Sequence, residues 1–599
     1  SAAENQKHYF PQTISAQTLI KHFNWLKENG YNVISWQQVI DAENGQGTLP
    51  DNAVLLSFDD GYETMYNVVF PLLKAYNYPA VFAPVTGWLD TPANQKIAYA
   101  DKMLDRSVFA TWAQVKEMEQ SGLVEVASHT HNLHNGINAN PSGGQLPAVI
   151  APEYKNGKYE TEDAYKNRLR SDFALTVQTL VNHIGKKPRV MVWPYGQFND
   201  VAVQIARQAG MPHYFSLGEK IVNKVGDKHI GRLLLNAETD LNTVKNYLDD
   251  IDESKQIQRV LHVDLDYVYD ANKAQQAKNL DKLIERIYRY GVTTVYLQAF
   301  SDPDGDGVAD ALYFPNKYLP VRDDIFGRIA WQLQTRAGVQ VYAWMPVLAF
   351  DLRKSVKEAE YVIDSRTGKP STKAYLRLSP YNKQNVEIIK SIYNDLSFYA
   401  KFNGILFHDD AFLTDFEGAE GNHAEGMVSP QAKQKTQDLI QLTHQLTDAL
   451  KPYFLRGSYS LKTARNLYAS VITNPNAEEW LAQNLKTLTD NYDTTAIMAM
   501  PYMENEQPIS QKEAYQWFAS LIENVKAQAP LDKVLFEFQA VNWRTQKPIP
   551  ESELIDWMTL LQKNHIYSYG YYPDNFLTNQ PDMNKMKPYF SVNTNAGKQ

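Results

Sequence analysis

The sequence contains no cysteine. That excludes disulfides, thiolate zinc sites and cysteine nucleophiles. It is compatible with an oxidising compartment without requiring one. No run approaches the roughly 18 apolar residues that mark a membrane span. The opening Ser1-Ala2-Ala3-Glu4-Asn5 is not a basic-then-apolar leader, so any export signal or lipid anchor is expected upstream of Ser1. An excess of positive charge is also missing. The formal net charge is −9, which disfavours a nucleic-acid partner and suits a cationic ligand.

What is present is a long, ordinary globular chain rich in aromatics. Its 599 residues exceed what one hydrophobic core organises, so two or more domains are expected. Aromatic residues make up 12 %, with 37 Tyr and 11 Trp. Tyr- and Trp-rich clefts stack on sugar rings, although large aromatic cores are the simpler source of such a composition.

The first part alternates strand-like and helix-like segments. Helical spacing of Leu19, Ile20, Phe23, Trp25 and Leu26 predicts a helix over 16–29, ending at Gly30. A strand over 53–58 runs into Asp59-Asp60-Gly61. Helices follow near 64–77 and 111–121, with a strand at 79–85 between them. A strand at 123–127 leads into Ser128-His129-Thr130-His131-Asn132-Leu133-His134. After a helix near 161–184, a strand at 189–193 enters Pro194-Tyr195-Gly196. This βα alternation predicts parallel strands with helices outside. A first domain is expected over 1–250, and polar residues 251–258 read as a linker. From 259 to 599 eight strand candidates recur at helix-sized intervals: 260–265, 293–298, 339–344, 404–407, 454–459, 496–500, 534–538 and 567–571. That count predicts an inserted (β/α)₈ barrel.

Asp59 and Asp60 stand together at a strand end, where successive side chains point to different sides. One can bind a metal while the other stays free as a base. Hydrolysing an amide needs an activated water and a stabilised oxyanion, and a divalent metal with open positions supplies both. His129, His131 and His134 follow another strand on the same sheet edge, where open α/β folds bind ligands. Two of these histidines can complete the site. Taken alone, Asp-Asp-Gly reads as a turn with a helix cap, and the histidines read as a polar loop. Two histidines and a carboxylate suit zinc, and equally iron, nickel or cobalt.

Ser57-Phe58-Asp59-Asp60-Gly61-Tyr62 resembles the first motif of the NodB-type polysaccharide deacetylases, carbohydrate esterase family four. His129 and His134 resemble its histidine motif, and Trp193-Pro194-Tyr195-Gly196 its Arg-Pro-Tyr-Gly motif. Over its full length the chain is similar to the two-domain members that deacetylate poly-β-1,6-N-acetylglucosamine, a biofilm exopolysaccharide. Segments 262–270 and 404–410 carry that likeness. The resemblance implies an N-terminal, circularly permuted, distorted (β/α) barrel and a C-terminal glycoside-hydrolase-like (β/α)₈ barrel. It makes Asp59 the general base and Asp60, His129 and His134 the metal ligands. Tyr62 would offer its backbone amide to the oxyanion, and Pro194, Tyr195 and Gly196 would line the groove. It also implies a periplasmic, outer-membrane-associated protein, glucosamine oligosaccharide as ligand, and an export porin as a partner.

Three departures from the family pattern stand out. The ligand histidines are five apart rather than four, so the loop must bulge by one residue. Trp193 replaces the arginine that orients the base, which predicts modest activity. The family's general-acid histidine belongs to an upstream strand; His8 is the nearest candidate, and its context does not match.

In the barrel half, strand ends predict a rim of Asp264, Asp266, Gln298, Trp344, His408-Asp409-Asp410, Tyr502, Glu537 and Tyr572. By the resemblance, Asp409 or Asp410 is expected as catalytic acid, with Glu537 and Asp415 next. Asp264, Asp266, Trp344, Asp415, Tyr502 and Tyr572 are expected to contact substrate. The same acidic rim suits a groove that only grips glucosamine ammonium groups. Asp302-Pro303-Asp304-Gly305-Asp306-Gly307 begins like a calcium loop. Its twelfth position is Tyr313 rather than Glu and it follows a strand, so a tight acidic turn is expected. Rival readings are a chitin or peptidoglycan deacetylase and a non-catalytic polysaccharide-binding export protein.

Overall fold

The computed structural model describes residues 12–218, 221–237, 239–249, 257–371, 375–418, 428–457 and 460–592. His8 and residues 251–256 of the expected linker lie outside them. The chain divides into two compact units, Ser1–Glu253 with Leu455–Ser460, and Ser254–Phe454 with Leu461–Gln599.

In the first unit six short strands run parallel: β1 (Ser57–Asp60), β2 (Ala80–Pro84), β3 (Val124–Val126), β4 (Val190–Val192), β5 (His213–Leu217) and β6 (His229–Arg232). β1-β2-β3 and β4-β5-β6 are hydrogen-bonded sheets, and a bridge from Ser128 to Met191 carries the order from one to the other. Alternation explains the layers. Val81, Ala83, Ala127, Val190, Val192, Phe215 and Ile230 cluster with Trp36 on one face. Ala80, Phe82, Val124 and Val126 turn the other way, onto Phe70, Met118 and Leu180 from the helices. Both faces are buried, as a parallel sheet requires.

The structure departs from the sequence reading in this unit at three places. The strand expected over 53–58 is two pieces: Ala53–Val54 pairs with Asn32–Val33, and only Ser57 onward joins β2. β5 and β6, with polar residues in short runs, went unread. So did a hairpin, Lys96–Tyr99 against Lys102–Asp105, whose one buried pair, Ile97 and Leu104, is too little periodicity to detect.

The second unit is a closed barrel of eight parallel strands in sequence order: β7 (Arg259–Val263), β8 (Thr294–Gln298), β9 (Gln340–Met345), β10 (Gly404–Phe407), β11 (Lys462–Tyr468), β12 (Thr494–Met498), β13 (Val534–Gln539) and β14 (Tyr569–Tyr572). The first strand pairs with the last, which closes the sheet and removes its edges. The fifth strand is a correction: β11 takes the place expected for 454–459, of which 458 and 459 lie outside the described residues. Its sequence, Lys-Thr-Ala-Arg-Asn-Leu-Tyr, lacks an apolar run because the buried side chains include Arg465 and Asn466. Arg465 donates to the Tyr492 hydroxyl and the Ala411 carbonyl, and Asn466 to Glu537. Hydrogen-bonded polar side chains inside a barrel defeat a reading based on hydrophobic runs.

Candidate functional site

The C-terminal ends of β1, β3 and β4 bring the metal-site candidates together. Asp60 Oδ1 lies 3.3 Å from His129 Nε2 and 3.2 Å from His134 Nε2. Three donors held about 2.0–2.2 Å from a tetrahedral metal stand ~3.4 Å apart, so this spacing fits a divalent ion. The tautomer fits as well. His129 Nδ1–H donates to the Val192 carbonyl at 2.7 Å, which leaves the Nε2 lone pair for a metal. Burial alone would raise the Asp60 carboxyl, but the two histidines outweigh it and hold it well below the usual range. His131, the third histidine of the loop, turns away: its Nδ1 pairs with the Thr86 hydroxyl.

The five-residue histidine spacing is accommodated by the backbone. Thr130 takes the left-handed conformation, φ 69°, between the histidines. The buried Asp172 carboxylate accepts from the amides of His131 and Asn132, at 2.9 and 2.7 Å, and Ser128 Oγ accepts from Thr130 N. Asp60 (φ 75°) and Tyr195 (φ 59°) are left-handed too. Non-glycine residues in that region are uncommon, and their clustering here marks a site the surrounding structure over-determines. Gly61 is required at the turn: at φ 102°, a Cβ there would stand 2.9 Å from Leu89 Cδ1.

Asp59 faces a cation that the sequence reading did not supply. Arg232, the last residue of β6, donates from Nη1 to Oδ1 at 2.8 Å and from Nη2 to Oδ2 at 2.9 Å. Nη1 also reaches Ser57 Oγ. Burial would raise Asp59, but Arg232 outweighs it and holds the carboxylate ionised. Trp193 does not stand in for the family's arginine at all. It is fully buried against Phe173 and Phe198. The expected deficit of a base without a cationic partner is therefore corrected: the partner comes from a different strand. Reading the end of the Lys228-His229-Ile230-Gly231-Arg232 run as a strand end would have found it.

Tyr62 stacks on Phe109 at 5.4 Å. Pro194 and Gly196 are buried, while Tyr195 is 42 % exposed with its ring 4.5 Å from His134. Tyr195 therefore presents an aromatic face beside His134. Tyr99, also unread in the sequence, donates its hydroxyl to Asp60 Oδ2 at 2.7 Å.

At the rim of the barrel the expected residues separate into distinct roles. Asp409 accepts from Tyr375 at 2.9 and 3.0 Å, from Tyr468 at 3.3 Å and from His408 Nε2 at 2.9 Å. Trp344 Nε1 donates to His408 Nδ1, so the hydrogen of the neutral ring is on Nε2 and points at Asp409. Burial would raise Asp409, but His408 and the two phenols outweigh it and keep it ionised. Asp264 is the opposite case. Burial and the neighbouring Asp266 push it up to about 7. One of its oxygens accepts from Tyr572 at 3.3 Å, and the other has no hydrogen-bond partner among the described residues.

Four of the expected rim residues are held by hydrogen bonds to neighbouring protein groups. Asp410 is fully buried and accepts from the amides of Val347, Leu348 and Ala349. Asp266 is saturated by Arg322, Tyr313, Ser301, Gln298 and the Asp302 amide. Glu537, 1 % exposed, is clamped inside the barrel by His262 and Asn466. Tyr502 commits its hydroxyl to Glu553. Asp415 is half-buried in the field of Arg366 and Lys435. Trp344 and Tyr572 pack edge-on at 5.5 Å, with Trp543 beyond Tyr572. The 302–307 segment is the expected acidic turn, with Asp302 accepting from the amides of Asp306 and Gly307.

An ionised base beside a two-histidine, one-carboxylate centre, and an acidic, tryptophan-lined barrel mouth, are the equipment of a two-domain carbohydrate-active hydrolase. Comparison with known proteins agrees. Residues 46–214 match the polysaccharide deacetylase family model, and residues 262–572 the model described as hypothetical glycosyl hydrolase family 13. The poly-β-1,6-N-acetyl-D-glucosamine N-deacetylase of Escherichia coli K12 is 40 % identical over 606 residues, covering 97 % of this chain and 89 % of its own. The glycoside hydrolase domain of PgaB (BpsB) from Bordetella bronchiseptica is 38 % identical, with a TM-score of 0.52, and covers 57 % of this chain and all of its own. A de-N-acetylase from Aggregatibacter actinomycetemcomitans is 68 % identical over 40 % of this chain and 92 % of its own, with a TM-score of 0.40. The chain belongs to the family of poly-β-1,6-N-acetyl-D-glucosamine N-deacetylases.

Proposed function

We propose that the first unit removes acetyl groups from poly-β-1,6-N-acetylglucosamine with a divalent metal held by Asp60, His129 and His134. The observation that carries this is the division of labour between adjacent carboxylates: Asp60 faces two imidazole nitrogens, while Asp59 is paired with Arg232, whose Nη1 also reaches Ser57 Oγ. When bound, the metal supplies Lewis acidity to the amide carbonyl and acidity to a water. Asp59, kept ionised by Arg232, takes that water's proton; each carboxylate oxygen keeps a lone pair beyond the one Arg232 uses. Tyr195 offers a ring face to the sugar. Zinc, nickel, iron and cobalt all suit the donor set. Acetate release from β-1,6-linked N-acetylglucosamine oligomers, assayed with and without metal, tests the reading. Release that survives both a chelator and Asp59→Ala would sink it, and faster release from β-1,4-linked oligomers would favour a chitin or peptidoglycan deacetylase.

For the barrel, an Asp264 that holds its proton up to about pH 7 and an ionised Asp409 on the same rim favour cleavage of the partly deacetylated polymer over binding alone. Two carboxyl groups driven to opposite protonation states are the requirement of glycoside hydrolysis. Asp264 would protonate the leaving oxygen, and Asp409 would act as base or nucleophile. The rim's carboxylates also suit the ammonium groups that deacetylation exposes. Because such a polymer is met during export, we place the protein in the periplasm at the outer membrane, with an export porin as partner. Cell fractionation and co-purification with that porin test both placements.

A further inference from the structure

We propose that Tyr99 is a positioning residue of the metal centre, restricting Asp60 to a single coordinating oxygen. The inference rests on the metal site proposed above and concerns how that site is tuned. The two oxygens of Asp60 are divided between different partners. Oδ1 lies 3.3 and 3.2 Å from the two histidine nitrogens. Oδ2 accepts from the Tyr99 hydroxyl at 2.7 Å. A carboxylate free to rotate would offer both oxygens to a metal and fill a position that water or the substrate carbonyl needs. With Oδ2 engaged, His129, His134 and Oδ1 of Asp60 would hold a metal through two nitrogens and one oxygen.

The hydroxyl is aimed by packing. Tyr99 sits at the end of the Lys96–Tyr99 strand of its hairpin, and the hairpin is pinned by buried Ile97 and Leu104. Its ring lies 5.4 Å from Trp88 and 6.1 Å from His134, nearly parallel to the latter. One aromatic wall therefore orients a ligand histidine and the donor to the ligand carboxylate together. The choice of donor is also physical. A lysine or arginine at this place would neutralise Asp60 and weaken its hold on a cation. A phenol, neutral near pH 7, fixes the carboxylate and leaves its charge intact.

The experiment compares the wild type with Tyr99→Phe, which removes one oxygen and keeps the ring. Both are loaded with cobalt(II) and followed by equilibrium dialysis and visible absorption. The wild type should show the intense bands of low coordination number. In Tyr99→Phe those bands should weaken as Asp60 swings to offer both oxygens, and cobalt affinity should fall roughly 10–100-fold. An unchanged thermal midpoint would show that the fold is intact. An unchanged spectrum and affinity in Tyr99→Phe overturn the positioning role. Cobalt uptake that persists in His134→Ala overturns the metal centre itself, so the two failures are told apart.

Discussion

Arg232 grips Asp59 with both arms of its guanidinium, at 2.8 and 2.9 Å, across the ends of β6 and β1. The pair is largely buried, with side-chain exposures of 12 % and 28 %. Such a fork aligns a carboxylate in a way a point charge cannot. Arg232→Lys keeps the charge and loses the fork. Acetate release should fall roughly 10²-fold in kcat, because the base is misaligned, while metal content stays at the wild-type level. Parallel rate and metal measurements decide between this and a general loss of structure.

Removing a metal donor should behave differently. His129→Ala and His134→Ala should lose the metal and the acetate release together. A chelator should reproduce that loss in the wild type, and added metal should reverse it. Asp59→Asn should retain the metal and lose roughly 10²–10⁴-fold in rate, the usual contribution of a general base. Metal analysis beside each rate separates the two groups.

Asp264 sets a pH signature for the barrel. In the unfolded chain its carboxyl ionises near 4, and in the fold near 7. Between those values the folded state keeps a proton that the unfolded state has released. Stability should therefore decline as pH rises through this window, by up to about 4 kcal/mol for this group. Asp264→Asn should flatten that decline in thermal melts. Cleavage of partly deacetylated oligomers should fade above pH 7, as the acid form is lost, and be absent in Asp264→Asn.

Asp410 should be a stability residue. Its carboxylate satisfies three consecutive buried amides after β9, those of Val347, Leu348 and Ala349. Asp410→Ala strands them and should cost roughly 2–4 kcal/mol. A lowered thermal midpoint with deacetylase rate constants unchanged at low temperature is the expected pattern.

Much of this was legible along the chain. Asp59 and Asp60 end β1, His129 and His134 lie in the loop that follows β3, and a parallel sheet places such ends on one edge. Seven of the eight barrel strands recur as apolar runs at helix-sized intervals, which have few other ways to bury both faces than a barrel. What tertiary structure alone decided was which polar groups meet. Arg232 reaches Asp59 across 173 positions of sequence, and Tyr99 reaches Asp60 from a hairpin with no periodic signal. Asp409 and Asp410 are neighbours, yet one is set among a histidine and two phenols and the other is sealed under three amides. Residue type and spacing determine which side chains arrive at a strand end. Ionisation depends on burial and on partners brought in from distant segments, and those exist only in the folded chain.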